Sequence, residues 1–263
     1  MLASMRLKFK IRPLVDEMLD QIPEEIWASS TTTFLDPAMG GGQFIIPIIE
    51  RLRKHGHSEE NIKGRVYGYE SNILFVQYVS TKYKIANKRK ISATLEFGGL
   101  KELKELEMKF DVILMNPPFN LPYEEPRTLQ RYELGRGRPQ QGSDYLMLER
   151  ALRLLKPGSG RLLIVLPHAI ASGSAVEDIR SFVEEKANVH GCISLPVGTF
   201  KPFGDSNART CILYLRRGTP GKRRFLAQAE AVGYDITTKQ YRELDDNDLP
   251  DIALAYHEKR SAL

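Results

Sequence analysis

From about residue 30 to residue 195, short apolar runs alternate with segments whose apolar positions recur every three or four residues. The runs at 31–35, 65–69, 91–96, 111–115, 161–166 and 189–195 read as strands, and a seventh at 210–215 follows a loop over 196–209. Strands separated by helical segments predict an α/β fold, a mostly parallel sheet with helices on both faces. The clearest helix is 144–155: Tyr145, Leu148, Leu152 and Leu155 share one face, and Lys156-Pro157-Gly158 stops it. Ser174 with Glu177 reads as a capping box opening a second helix through Ile179, Phe182 and Val183. Pro13 suits a first helical turn, with Leu14, Val15, Met18 and Leu19 on one face. Pro47 is expected to kink the helix after a glycine loop unless it falls in that helix's first turn. Residues 120–142 interrupt the alternation: Pro122, Pro126, Gly135, Gly137 and Pro139 break any regular element, and a long loop is predicted.

Composition narrows the classes. The chain has 263 residues, 42% hydrophobic and 27% charged, enough for one large α/β domain. No apolar run is long enough to span a membrane, and the start lacks a secretory signal, so a cytoplasmic protein is expected. Cys192 and Cys211 each lie in a strand-like run and read as reduced core thiols, and no metal centre is expected. A net charge of +5 permits a polyanionic partner without requiring one.

Two strings carry candidate chemistry. Asp36-Pro37-Ala38-Met39-Gly40-Gly41-Gly42-Gln43-Phe44 follows a strand and opens a helix, where doubly wound sheets bind ligands. Gly40 and Gly42 let the backbone approach a ligand closely, and the spacing is not that of a dinucleotide fingerprint, since Ile45 stands where a third glycine belongs. One strand later, the Glu70 carboxylate can accept two hydrogen bonds from a ribose diol. The apolar strand at 111–115 runs into Asn116-Pro117-Pro118-Phe119. An aromatic amine is a poor nucleophile because its lone pair is delocalised, and two acceptors on its N–H bonds turn the nitrogen toward tetrahedral geometry. Asn116 supplies one acceptor and the Pro117 carbonyl a second, while Phe119 offers a flat face for a purine.

In these strings the chain resembles S-adenosylmethionine-dependent adenine-N6 DNA methyltransferases, whose motifs D-P-x-x-G-x-G-x-F and N-P-P-[FY] correspond to residues 36–44 and 116–119. Residues 166–170, 193–202, 233–235 and 247–250 extend the likeness to the catalytic core of the modification subunits of type I restriction systems. The resemblance implies a Rossmann-like methyltransferase fold with a seven-stranded, mostly parallel sheet. It implies that Asp36, Ala38, Gly40, Gly42, Phe44 and Glu70 line the S-adenosylmethionine site, with Asn116 beside it and Pro13 on a helix over the methionine end. Asn116 and Pro117 would hold the amine of a flipped-out adenine, Phe119 would stack on it, and Phe200 would pack on another side. The amine would then attack the sulfonium methyl in line.

Relatives often carry a Gly-Asp pair at the third strand, where this chain has Gly98-Gly99, with Glu96 on the opposite face of a regular strand. The expected organisation is a catalytic domain over 1–217, its first 29 residues an arm over the cofactor, then a short appendage over 218–263 with no separate target-recognition domain. DNA is the expected partner, with sequence choice from the 120–142 loop, the basic tail or a separate specificity subunit. Arg136, Arg138, Arg216, Arg217, Lys222, Arg223 and Arg224 are the candidate phosphate contacts. The alternatives are methyl transfer to RNA or to a release-factor glutamine, and a catalytically idle nucleic-acid-binding module.

Overall fold

A computed structural model describes residues 12–87, 94–97, 107–119, 121–203, 207–218, 221 and 223–260. In its first half, helices α1 (Arg12–Asp20) and α2 (Glu24–Ala28) lead to strand β1 (Phe34–Asp36). Then come α3 (Ile45–Lys54), α4 (Glu59–Lys63), β2 (Val66–Glu70), α5 (Ile73–Asn87), β3 (Thr94–Phe97) and β4 (Val112–Met115). A compact insert follows, of β5 (Pro122–Tyr123), α6 (Pro126–Leu129) and β6 (Gln141–Gly142). The second half runs α7 (Ser143–Leu154), β7 (Arg161–Pro167), α8 (Ala169–Ser172), α9 (Glu177–Lys186), β8 (Ala187–Ser194) and β9 (Thr210–Arg217). It closes with β10 (Phe225–Gln228), β11 (Val232–Tyr234), β12 (Glu243–Asn247) and α10 (Leu249–Lys259).

The sheet order is β10-β8-β9-β7-β4-β1-β2-β3, and only β9 runs against its neighbours. The seven strands read from the sequence are all present, and an eighth corrects their number: β10 adds a parallel edge strand beside β8, Phe225 opposite Gly191. Its four residues, Phe-Leu-Ala-Gln, are too few and too weakly alternating to stand out after the basic stretch before them. Central strands are buried on both faces, so alternate residues feed two cores. Phe34, Val112, Leu114, Leu163 and Val165 point into one, with α1, α2, α3 and α10; Leu35, Ile113, Met115, Leu162 and Ile164 point into the other, with α7 and α9. Residues beyond 217 share the first core through Phe225, Val232, Tyr234, Leu249 and Tyr256, and α10 packs on α1.

Three local expectations change. Ser174 starts a short 3₁₀ turn and α9 begins at Glu177, with no side-chain cap, so the predicted capping box does not form. Pro47 is the third residue of α3, within its first turn; the Ile46 and Ile48 N–H groups donate to the Gly42 and Phe44 carbonyls on either side of it, so the one bond it omits is that to the Gln43 carbonyl. The 120–142 stretch is not featureless, because Glu125 caps α6 by accepting from the N–H groups of Arg127 and Thr128, at 2.9 and 2.8 Å. Leu129, Tyr132 and Leu134 are buried in the second core, and the buried Glu149 carboxylate accepts from the N–H groups of Glu133 and Leu134, both at 2.8 Å.

Candidate active site

Register positions the site. Strand β1 is short, and β2 and β4 flank it on either side. Asp36 lies opposite Gly68 on β2, and Leu35 opposite Ile113 on β4, so Glu70 and Asn116 each stand two residues beyond the level of Asp36. The early end of β1 leaves a notch two strand spacings wide, about 10 Å, between two longer strands. The chain direction across the sheet reverses here, because β2 lies to one side of β1 and β4 to the other.

The glycine loop turns into this notch. Asp36 is buried and accepts from the Ala38 N–H at 3.0 Å. Burial pushes its carboxyl well above the ordinary Asp value, against the Ala38 bond and with help from the Glu70 charge. Met39 N–H donates to the Tyr69 carbonyl at 3.0 Å, and Gly40 N–H to Glu70 Oε2 at 2.9 Å, so the loop is laced to the end of β2. Glu70 Oε1 accepts from Asn72 N–H at 2.9 Å. Gly40 and Gly42 have φ of 49° and 77°, and a Cβ on Gly42 would stand 2.9 Å from Val79 Cγ1. Both therefore need glycine. Phe44 is 3% exposed and belongs to the core, so it forms the floor of the loop. The predicted cofactor residues Asp36, Ala38, Gly40, Gly42 and Glu70 are brought together, and the tight backbone turn beside a strand-end carboxylate fits a nucleoside-bearing cofactor. Pro13 lies elsewhere on the same side, in the first turn of α1, with its Cγ against Gly233 of β11.

Across the notch, Asn116 follows directly on four fully buried residues of β4. Its Oδ1 is buried and has no hydrogen-bond partner. Pro117 is buried, and Phe119 is half-buried. The rings of Phe119 and Phe200 meet edge to face, centroids 5.5 Å apart, so the two predicted stacking residues form one aromatic wall. The loop carrying Phe200 is braced from behind. Tyr234 Oη donates to the Thr199 carbonyl at 3.0 Å, and Phe203 packs on Tyr234 with centroids 5.3 Å apart. Gly198 takes a φ of 88°, its absent Cβ only 2.9 Å from the Ile236 carbonyl oxygen. Sequence reasoning gave no role to Thr199 or Tyr234; the Gly233-Tyr234-Asp235 string was the available signal.

The candidate phosphate contacts separate into two groups. Arg136 is exposed on the insert after β4, and Arg138, also exposed, pairs with Asp178 at the start of α9; both follow strand ends on the site's side. Arg216 and Arg217 instead end β9, with Arg216 opposite Arg161 at the start of β7, and Arg223 and Arg224 precede β10. These four lie at the amino end of the sheet, away from Asn116. Lys222 lies outside the described residues, as do Gly98 and Gly99. Among the described residues there is no cluster of three or more His, Cys, Asp or Glu that could hold a metal ion, and no helix is long and apolar enough to cross a membrane.

The chain is similar to known proteins over most of its length. The methylase subunit of the type I restriction enzyme EcoEI from Escherichia coli is 24% identical over 197 residues, covering 72% of this chain and 39% of that protein. The MjaIX methylase subunit from Methanocaldococcus jannaschii is 22% identical over 196 residues, 72% of this chain and 34% of its own. The chain thus spans little more than a third of these relatives. The methyltransferase subunit of a type I restriction-modification system from Streptococcus thermophilus superposes with a TM-score of 0.70 at 20% identity, covering 94% of this chain and 52% of that one, which shows the same fold. The N-6 DNA methylase family model matches residues 15–262, from the first turn of α1 to past the end of α10, and the chain belongs to that family.

Proposed function

We propose that this chain transfers a methyl group from S-adenosylmethionine to the N6 amine of adenine in DNA, within a restriction-modification system and with a separate specificity subunit choosing the sequence. The unpartnered Asn116 Oδ1 carries this reading. A buried acceptor without a donor costs about 1–3 kcal/mol, which a fold keeps where a ligand supplies the donor. It stands at the tip of a buried strand with the Pro117 carbonyl next in the chain and an aromatic wall beside it.

The chemistry asked of these residues is modest and positional. Asn116 Oδ1 and the Pro117 carbonyl accept the two N–H bonds of an incoming amine, drawing its lone pair out of the ring. Phe119 and Phe200 hold the base plane, which offsets a few kcal/mol spent in leaving the duplex stack. S-Adenosylmethionine, when bound, supplies an electrophilic methyl group. Asp36, Ala38, Gly40, Gly42 and Glu70 would hold it, with Phe44 beneath, and the strand register, which puts Glu70 and Asn116 at one level, supports a place for it beside Asn116. The relatives' own description as methylase or methyltransferase subunits of type I restriction enzymes supports the DNA assignment and the specificity partner.

The test is labelled methyl transfer offered in parallel to DNA, RNA and protein, followed by digestion of the DNA to nucleosides. Label recovered as N6-methyladenine, and lost in Asn116→Ala, is the expected result. Label on RNA or protein instead of DNA overturns the proposal.

A further inference from the structure

The amino end of the sheet carries a second concentration of charge that the proposed methyl transfer does not use. Arg161 begins β7, Arg216 and Arg217 end β9 beside it, and Arg223 lies just ahead of β10. Lys109 joins them from the segment before β4, its ammonium donating to the Arg153 carbonyl at 2.9 Å, the same carbonyl that accepts from Arg217 at 3.2 Å. Among the described residues, none of these five cations makes an ion pair with a carboxylate. Arg161 donates to the Tyr214 hydroxyl and the Ser159 carbonyl, and Arg217 also donates to the Leu155 carbonyl at 2.5 Å. Of the nearby acids, Glu149 is taken by Arg153, Glu184 by Arg224, Glu185 by Lys186 and Asp111 by Lys156, while the charge of Glu107 acts on Lys109. Crowded like charge leaves its mark on the neighbours. Lys109 is held below its ordinary value by burial and then by the charges of Arg217 and Arg150, and His190 by burial and then by Arg216 and Arg161.

The geometry is a row. From β7 through β9 and β8 to β10 the strand starts and ends are three spacings apart, about 14 Å, with guanidinium groups along the way. Asn116 lies four residues up the sheet from the level of Arg161, about 13 Å, and the loops it opens onto face the other way. A phosphate flanking the same target base therefore cannot serve both ends. We propose that this amino-end face is a second binding site for the phosphate backbone of nucleic acid, independent of sequence and separate from the strand-tip site. Four of its five cations are arginines, whose flat forks match phosphate oxygens in pairs, and an extended row of one sign suits a backbone of regularly spaced charge better than a single acidic side chain.

The test counts sites. A mixed-sequence duplex of 12 base pairs is titrated into the full chain and into Arg216→Glu/Arg223→Glu by calorimetry, with thermal melting as the check that the exposed substitutions leave the fold intact. The expected result is two duplexes per wild-type chain and one per variant, the retained site changing affinity less than twofold. One per wild type and none per variant also supports this site, while removing DNA from the strand tips. An unchanged count, or no binding by wild type, overturns it. So does a poly-glutamate probe whose binding depends on Arg216 and Arg223 when the duplex count does not, since that assigns the face to an acidic protein.

Discussion

Strand β4 and its approach hold opposite solutions at their two ends. At the amino end, Asp111 Oδ2 accepts from Thr33 N–H and Oγ1, both at 2.9 Å, and from Lys156 Nζ at 2.8 Å. Five residues later Asn116 Oδ1 is buried and accepts from nothing. Both groups are short polar side chains at the edge of one apolar run. The first closes a joint between β1, β4 and the turn before β7, and the second withholds an acceptor that the fold could have satisfied. Stability is gathered at one end and left open at the other, the pattern expected where a ligand completes the structure.

The contrast can be broken by substitution. Asn116→Ala should lower kcat for methyl transfer roughly a hundred- to a thousandfold, the scale seen when one preorganised hydrogen-bonding group is removed, while leaving Tm unchanged or raised. A fall in Tm with activity retained would make Asn116 a structural residue like Asp111. Glu17 on α1 sharpens the comparison, because it too is buried with one unpartnered oxygen, Oε2, while Oε1 accepts from Gln21 at 2.8 Å. Burial pushes its carboxyl up to about 8. The folded state therefore keeps a proton that the unfolded chain releases above its ordinary value of 4.5, and stability falls as pH rises from there toward 8. Glu17→Gln should recover on the order of 3 kcal/mol at pH 8 and almost nothing at pH 4.5, read from denaturant midpoints.

Smaller effects follow. Gly42→Ala should cost about 2 kcal/mol, from a left-handed backbone and the Val79 contact, and should weaken S-adenosylmethionine binding measured by calorimetry. Asp111→Asn should cost about 1 kcal/mol at neutral pH. Its folded carboxyl, although burial opposes ionisation, is held below the ordinary 3.8 by Lys156 and Thr33. The stabilisation is present above that value and is lost as pH falls below it, so wild type and variant should converge in acid.

Most of the sheet was legible because doubly buried strands are short apolar runs bounded by breakers, and Phe34, Val112 and Leu163 needed no further context. Both site strings were legible for a related reason: Gly42 and Pro117 are backbone requirements written in composition. What sequence could not supply was placement at long range. Arg216 and Arg136 are alike as letters, and only the antiparallel turn of β9 sends Arg216 to the far end of the sheet. The brace from Tyr234 to Thr199 spans 35 positions, and no local pattern marks it. The insert after β4 was misread because its prolines and glycines outweigh Tyr132 and Leu134 in any window, while its anchor, Glu149, belongs to another element.

That anchor has a mechanical consequence. With the Glu149 carboxylate gripping two successive amides of the insert, and Arg153 clasping the same carboxylate from the next turn of α7, the segment behind Phe119 is bolted to the helix under it. The insert is thereby fixed to α7 on one side of the strand tip, as the Tyr234 hydroxyl fixes the Phe200 loop through the Thr199 carbonyl on the other.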